Sequence, residues 1–160
     1  MEEFGTKQDD IEYIERKGSY GVAMQGDMVL VEMAKLGCFL PGGGIDDGET
    51  IEQALQREFI EETGYKIISW QEIGAAVEYQ DELHEGGSIH TKRIRYFYLV
   101  ELGEKGEPTY ADGHKRPVER VPITSVREKM HLQSQWWAIE ECFRIQGIGV
   151  GNFFLKRASK

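Results

Sequence analysis

Glu58, Glu61 and Glu62 fall three and four residues apart in "QREFIEETGY". On a helix that spacing makes them neighbours, with Cβ atoms roughly 5–6 Å apart. Like charges so placed destabilise a helix by a few tenths of a kcal/mol per pair, and these sit in its last turns, where the macrodipole is already negative. A solvent-screened acidic face is the plain alternative, since such helices are common. Two features weigh against it. A merely soluble surface favours Lys or Arg at this end, and "GGGIDDGET" leads straight into the same helix, so bare glycine carbonyls can approach the carboxylates. Hard oxygen donors so arranged suit a hard divalent cation, Mg2+ or Mn2+, which keeps several waters and also binds substrate phosphates. Arg57, the one cation between Gly42 and Tyr65, can brace carboxylates bidentately.

Other candidates are less specific. "GEPTYADG" supplies Asp112, with Glu119 as a nearby rival. Arg93 and Arg95 share one face of a strand and can hold phosphates, though an exposed sheet face explains them about as well. His84, Glu85 and His90 lack the HExxH spacing of a zinc site and read as a loop with solvated histidines. Trp136 and Trp137 can stack a base, but one Trp per helix face is more often core or a dimer contact, so a homodimer stays open. Tyr79 and Phe97 read as core.

These side chains need elements to hold them. "TIEQALQREFIEETG" has a helical apolar period, with Ile51, Ala54, Leu55 and Phe59 on one stripe and the acids expected opposite. Thr50 as N-cap, Gln53 at N3 and Gly64 as terminator bound the helix. "YGVAMQGDMVLVEM" reads as two strands around a Gln-Gly-Asp turn, and the chain is expected to leave the sheet at Pro41. "YKIISWQEIGAAVEY" and "HTKRIRYFYLVEL" read as strands, the second strongly so from its aromatic and β-branched content. "GEKGEPTYADGHKRPVER" reads as a polar loop, "VPITSVREKM" as a strand end with a turn of helix. "SQWWAIEECFRI" reads as a second helix with Trp136, Ile139 and Phe143 on one face. Strands mixed with two good helices predict an α+β or layered α/β/α domain. Residues 1–146 form the expected domain, and the Gly-rich stretch 147–160 is expected to be a mobile tail.

The 160 residues fit one domain with a real core. The net charge of −9, from 28 acidic against 19 basic residues, repels polyanions and argues against non-specific binding of nucleic acid or anionic membrane. A phosphorylated substrate therefore needs a local basic patch or a bridging cation. Cys38 and Cys142 form no CxxC pair, so neither a disulfide scaffold nor a zinc ribbon is supported. The polar opening residues and the lack of any apolar run near the roughly 20 residues of a bilayer span give a cytoplasmic expectation.

Gly43, five residues, Glu49, seven residues, then "REFIEETGY" resembles the Nudix box. Gly43, Glu49, Arg57, Glu58, Glu61, Glu62 and Gly64 match its fixed positions, and "LPGGGI" before it is also typical of the family. Phe59 and Tyr65 stand at bulky aliphatic positions, and both remain large and hydrophobic. The resemblance implies an α/β/α sandwich with a mixed sheet, the box forming a loop–helix–loop, and hydrolysis of a nucleoside diphosphate linked to another group. It implies Glu61 and Glu62 as the main metal ligands, Glu58 as a further ligand or general base, the Gly42 carbonyl completing the set, and Glu49 with Arg57 as the pair locking loop to helix. It further implies a late-loop carboxylate, for which Asp112 is favoured. Members of the resembled family that prefer ADP-ribose or dinucleoside polyphosphates often carry a proline or a tyrosine after the box. No proline lies between Ser69 and Glu85 and Tyr79 is out of register, so the resemblance favours a mutator-type enzyme acting on a nucleoside triphosphate, or a generalist. The competing reading is a Nudix-fold module that senses a nucleotide without cleaving it. Such a module would be expected to lose box glutamates, and none is lost.

Overall fold

The computed structural model describes residues 1–111, 113 and 115–146. In chain order the elements are β1 (Glu2–Phe4), β2 (Ile14–Val22), β3 (Met24–Gln25), β4 (Met28–Ala34), β5 (Gly37–Phe39), β6 (Gly42–Gly44), α1 (Ile51–Thr63), β7 (Tyr65–His84), β8 (Gly87–Lys105), β9 (Val118–Pro122), α2 (Ile123–Lys129) and α3 (Gln133–Ile145). A mixed sheet runs β1-β7-β8-β2-β6, with β1 parallel to β7, β2 parallel to β8, and β6 antiparallel to β2. In a second sheet β4 is central. Met28 and Glu32 each pair on both sides, so β9 lies along one edge while β3 and β5 share the other.

Alternation along β8 sorts the helices onto two faces. Phe97 packs in one cluster with Ala138, Ile139, Cys142 and Phe143 of α3. Its neighbour Tyr98, and Val100 beyond, pack in the other with Leu55 and Phe59 of α1. This is the layered α/β/α arrangement expected. Burying side chains the size of Leu55 or Phe59 stabilises by roughly 1.5–3 kcal/mol each. Trp136 and Trp137 belong to the packing: Trp137 lies 6.2 Å from Phe4 and 6.1 Å from Phe97, centroid to centroid. Both cysteines are buried and free. Among the described residues no helix is long and apolar enough to cross a membrane.

The caps of α1 follow its sequence. Gln53 N–H donates to Thr50 Oγ1 at 3.1 Å and Thr50 N–H to Gln53 Oε1 at 2.9 Å, the two halves of a capping box. Gly64 ends the helix at φ 78°, and a Cβ there would also strike the Gly106 carbonyl oxygen at 2.1 Å.

Four expectations need correction. The chain does not leave the sheet at Pro41, because Gly42–Gly44 pair with Gly18, Ser19 and Tyr20 as a strand. The region of His84 and His90 is no loop but the closed end of a long β7–β8 hairpin, with His84 paired to Gly87. Glu119 lies in β9, opposite Val31, and not in a loop. The acids of α1 are not opposite its apolar stripe. Glu58 and Glu62 follow Ile51 and Leu55 by seven residues, about two turns, and so project on the same side; Glu62 is buried with Leu55 and Phe59. The stretch 147–160, expected to be a mobile tail, lies outside the described residues.

Candidate functional site

Because Glu58 and Glu62 share the inner side of α1, they face β6. The Gly42 N–H donates to Glu62 Oε2 at 3.1 Å. Glu58 presses on the next residue, where a Cβ at Gly43 would fall 2.5 Å from its carboxyl carbon. Only glycine admits that carboxylate, a close-approach reason for the glycine run that differs from loop flexibility.

Arg57 gathers the rest. Its Nε and Nη2 donate to Glu49 Oε2 and Oε1 at 2.7 and 2.9 Å, a bidentate pair between helix and lead-in. Nη1 donates to Glu58 Oε1 at 2.9 Å and Glu61 Oε2 at 3.1 Å, and Nη2 also to the Gly44 carbonyl at 2.9 Å. The Gly44 carbonyl thus accepts from arginine. Hydrogen bonds from Arg57 hold Glu49 below the usual carboxylate range, and Glu49 in turn raises Arg57. Glu58 moves the other way. Burial first, then the charge of Glu62 and, less, of Glu61, push it up to about 7 against the pull of Arg57. The cluster therefore carries more negative potential than one guanidinium balances.

Among the described residues no three carboxylate, imidazole or thiol groups converge on one point, because Glu58 and Glu61 are turned to Arg57. The donor chemistry still fits a hard dication. Glu58, Glu61 and Glu62 supply only oxygen, with neither imidazole nor thiolate in the group, and small rotations of Glu58 and Glu61 free oxygens that a second positive charge would stabilise.

Glu58 and Glu62 line a cleft of about 650 Å3. Its aromatic part is lined by Leu36, Phe39, Leu40, His131 and Leu132, with Glu32 and Gln135 among them. Phe39 and His131 rings meet at 5.5 Å, tilted by 59°. Arg116 lies over Phe39 at 5.9 Å, with Nη1 3.8 Å from Glu32 Oε2.

Arg93 and Arg95 stand on β8, and neither forms a bare cationic face. Arg93 pairs with Glu82; burial alone would raise that carboxyl, but Arg93 and Thr91 bring it below its usual range. Arg95 is 4% exposed. Its Nη1 donates to Glu78 Oε2 at 2.7 Å and Ser134 Oγ at 3.3 Å, and its Nη2 to Gln80 Oε1 at 3.1 Å. Its Nε is buried without a partner. Both arginines border the cleft with their charge largely compensated.

Asp112 lies outside the described residues. Glu119 is exposed, and neither it nor Glu85 borders the cleft. Sequence reasoning missed Glu32, Phe39, Gln80, His131 and Gln135. Only Glu32 carried a signal, as an acid inside the apolar run "MVLVEMA".

A mixed sheet between helices, with a glycine strand and an arginine-braced acidic helix at the mouth of a cleft, defines a nucleotide-hydrolase type of architecture, and the chain belongs to the NUDIX domain family, whose model matches residues 15–141. It is similar in structure to a NUDIX hydrolase from Nitrosomonas europaea, with TM-score 0.64 and 20% identity over 86% of this chain and 95% of that one. A MutT NUDIX hydrolase from Burkholderia pseudomallei gives TM-score 0.57 and 18% identity over 80% and 98%. In sequence it is 47% identical over 47 residues to a Bacillus subtilis (strain 168) protein called "Putative 8-oxo-dGTP diphosphatase". That match covers 28% of this chain and 32% of the relative, about a third of its length.

Proposed function

We propose that this protein is a divalent-cation-dependent pyrophosphohydrolase that cleaves a phosphoric anhydride bond of a nucleoside triphosphate or related nucleotide, in the cytoplasm. The observation that carries the reading is the placement of Glu58 and Glu62 against Gly42–Gly43, beside Glu61 and on the wall of a nucleotide-sized cleft. Support for a triphosphate comes from the B. subtilis relative, whose name specifies one and whose matched segment spans 47 residues.

Glu58, Glu61, Glu62 and the Gly42 carbonyl would hold Mg2+ or Mn2+. When bound, the ion supplies charge neutralisation on the phosphate oxygens and an acidified water. The protein's own groups do the rest. Glu58 accepts the proton of the attacking water at its carboxylate. Arg57 keeps Glu58 and Glu61 oriented while tying the lead-in to the helix through Glu49. Arg93 and Arg95 border the cleft and would face substrate phosphates. Asp112 is the proposed late-loop carboxylate, and Asp112→Asn should lower kcat with KM unchanged, as for an interaction made mainly in the transition state.

The test is a panel of nucleotides incubated with Mg2+, products separated by chromatography. Release of a nucleoside monophosphate and pyrophosphate from at least one triphosphate is expected. Intact nucleotides throughout the panel would remove the reading.

A further inference from the structure

Under α1 lies a hydroxyl without a partner. Ser19 on β2 is fully buried, and among the described residues its Oγ makes no hydrogen bond. Its direction follows from its neighbours on the sheet. Gly21 lies two residues on and so on the same face, where a Cβ would fall 2.6 Å from the Phe59 ring of α1. Gly43 is the antiparallel partner of Ser19, and its Cβ would fall 2.5 Å from the Glu58 carboxyl carbon. Opposite residues of an antiparallel pair turn to one face, with Cβ atoms roughly 4.5–5.5 Å apart. Gly42, the neighbouring residue of β6, donates its N–H to Glu62. The Ser19 side chain therefore rises towards α1 between Phe59 and Glu58, beneath carboxylates proposed to hold a cation.

A buried hydroxyl left unpaired is costly to keep, and this one stands beside a carboxylate with two demands on it. Glu58 takes a hydrogen bond from Arg57 Nη1 at 2.9 Å. A carboxylate that ligates a metal needs its orientation fixed by hydrogen bonds from outside the ligand set. We infer that Ser19 is a positioning residue for the cation site, whose O–H donates to Glu58 when that carboxylate turns from Arg57 to hold the ion. The inference rests on the hydrolase reading for the ion itself. A serine hydroxyl suits the task because it rotates to meet its partner and adds no charge to a crowded acidic group. The bond exists only in the loaded site. Its loss therefore costs affinity for the ion and leaves the stability of cation-free protein alone, and this asymmetry separates positioning from packing.

The probe is Mn2+, titrated without nucleotide into full-length wild type, Ser19→Ala and Ser19→Cys, with the free ion followed by electron paramagnetic resonance. Cysteine fills the space of serine but is a weak donor, so it controls for the cavity that alanine leaves. Both variants are expected to bind Mn2+ about tenfold more weakly or worse, the usual cost of removing a hydrogen bond to a ligating group. In chelator, Ser19→Ala should melt no lower than the wild type, since the hydroxyl it removes has no partner there. Wild-type affinity in Ser19→Ala overturns the inference. So does wild-type affinity in Ser19→Cys alone, which would mean that Ser19 only fills space. A Ser19→Ala protein that melts lower in chelator assigns packing and overturns it too. If Ser19→Cys does not fold, Ser19→Ala decides alone. The two readings fail separately. Variants that bind Mn2+ as the wild type does, in a protein that cleaves triphosphates, remove this inference and keep the hydrolase. A wild type that takes up no Mn2+ and leaves every nucleotide intact removes both.

Discussion

At the acidic end of the cleft Glu58 and Glu61 share one guanidinium, and a third carboxylate, Glu49, holds that guanidinium in place. At the aromatic end a single buried carboxylate stands beside an arginine at 3.8 Å, and most of the wall is apolar. The first end gathers like charges, and burial together with the charges of Glu62 and Glu61 pushes Glu58 up. At the second, Arg116 stands near the one buried acid of the wall and the Gln135 oxygen takes the Leu40 N–H. A site that gathers like charges is suited to receive a cation. A mostly apolar one is suited to contact an uncharged part of a substrate. On this contrast, changes at the acidic end should act on turnover and on its dependence on cations and pH, whereas changes at the aromatic end should act on binding.

The largest expected effect is loss of the divalent cation. Chelator-treated protein should lose turnover by at least about a thousandfold, equivalent to about 4 kcal/mol of barrier, with activity returning on addition of Mg2+ or Mn2+. Glu61→Gln and Glu62→Gln should each cost a similar factor while melting normally, since each removes one of several repelling charges. Full activity in chelator would mean that the acids have another purpose, and the contrast would break.

Gly43→Ala comes next. Its Cβ would fall 2.5 Å from the Glu58 carboxyl carbon, so the carboxylate must move away from the strand. Turnover is expected to fall on the order of tenfold to a hundredfold, with at most about 1–3 kcal/mol of overpacking cost in stability. Unchanged kcat in this variant would show that Glu58 works equally well elsewhere.

A smaller effect is the pH dependence of stability in cation-free protein. Glu58 titrates near 7 when folded against an ordinary 4.5. The neutral carboxyl is favoured in the folded state, so this contribution is complete below about pH 4.5 and is lost as pH rises through 7. The melting temperature should fall between about pH 5 and 8, by no more than about 3 kcal/mol in stability. Glu58→Gln should flatten that slope. Glu49, shifted down by Arg57, acts oppositely but at lower pH, where its carboxylate protonates. A slope that persists in Glu58→Gln would place the excess charge on another group.

The smallest concerns Phe39. Phe39→Leu removes a ring from the cleft wall and leaves the acids untouched, so KM should rise several-fold with kcat unchanged, the pattern of lost uniform binding. A fall in kcat instead would couple the two ends more tightly than their geometry suggests.

How far each end was legible follows from chain distance. The acidic end is written between Gly42 and Tyr65, where helical spacing alone brings Glu58, Glu61, Glu62 and Arg57 together. The one mistake there was about direction. Counting seven residues from Ile51 and Leu55 puts Glu58 and Glu62 on the buried side, but the expectation that charges point outward put them on the other. The glycines were read as a flexible loop because strand propensity disfavours them. They pair as β6, since the absence of side chains is what lets a carboxylate lie on a strand.

The aromatic end is assembled from β4, β5, the turn after α2 and the first turn of α3, with about a hundred residues between its furthest members. No local period links Glu32 to Gln135, so only the pairing of β4 with β5 and the docking of α3 decide that both line the cleft. Arg95 makes the same point within one strand. Its place on a face with Arg93 was legible, but its burial against Glu78 and Ser134 was not. The sequence by itself determined the caps and length of α1, its cluster of acids and the arginine that braces them, because those depend on interactions within one or two helical turns. Tertiary structure alone decided which way the acids face, that the glycines form a strand, and which side chains line the aromatic part of the cleft, because each depends on contacts whose partners lie far apart in the chain.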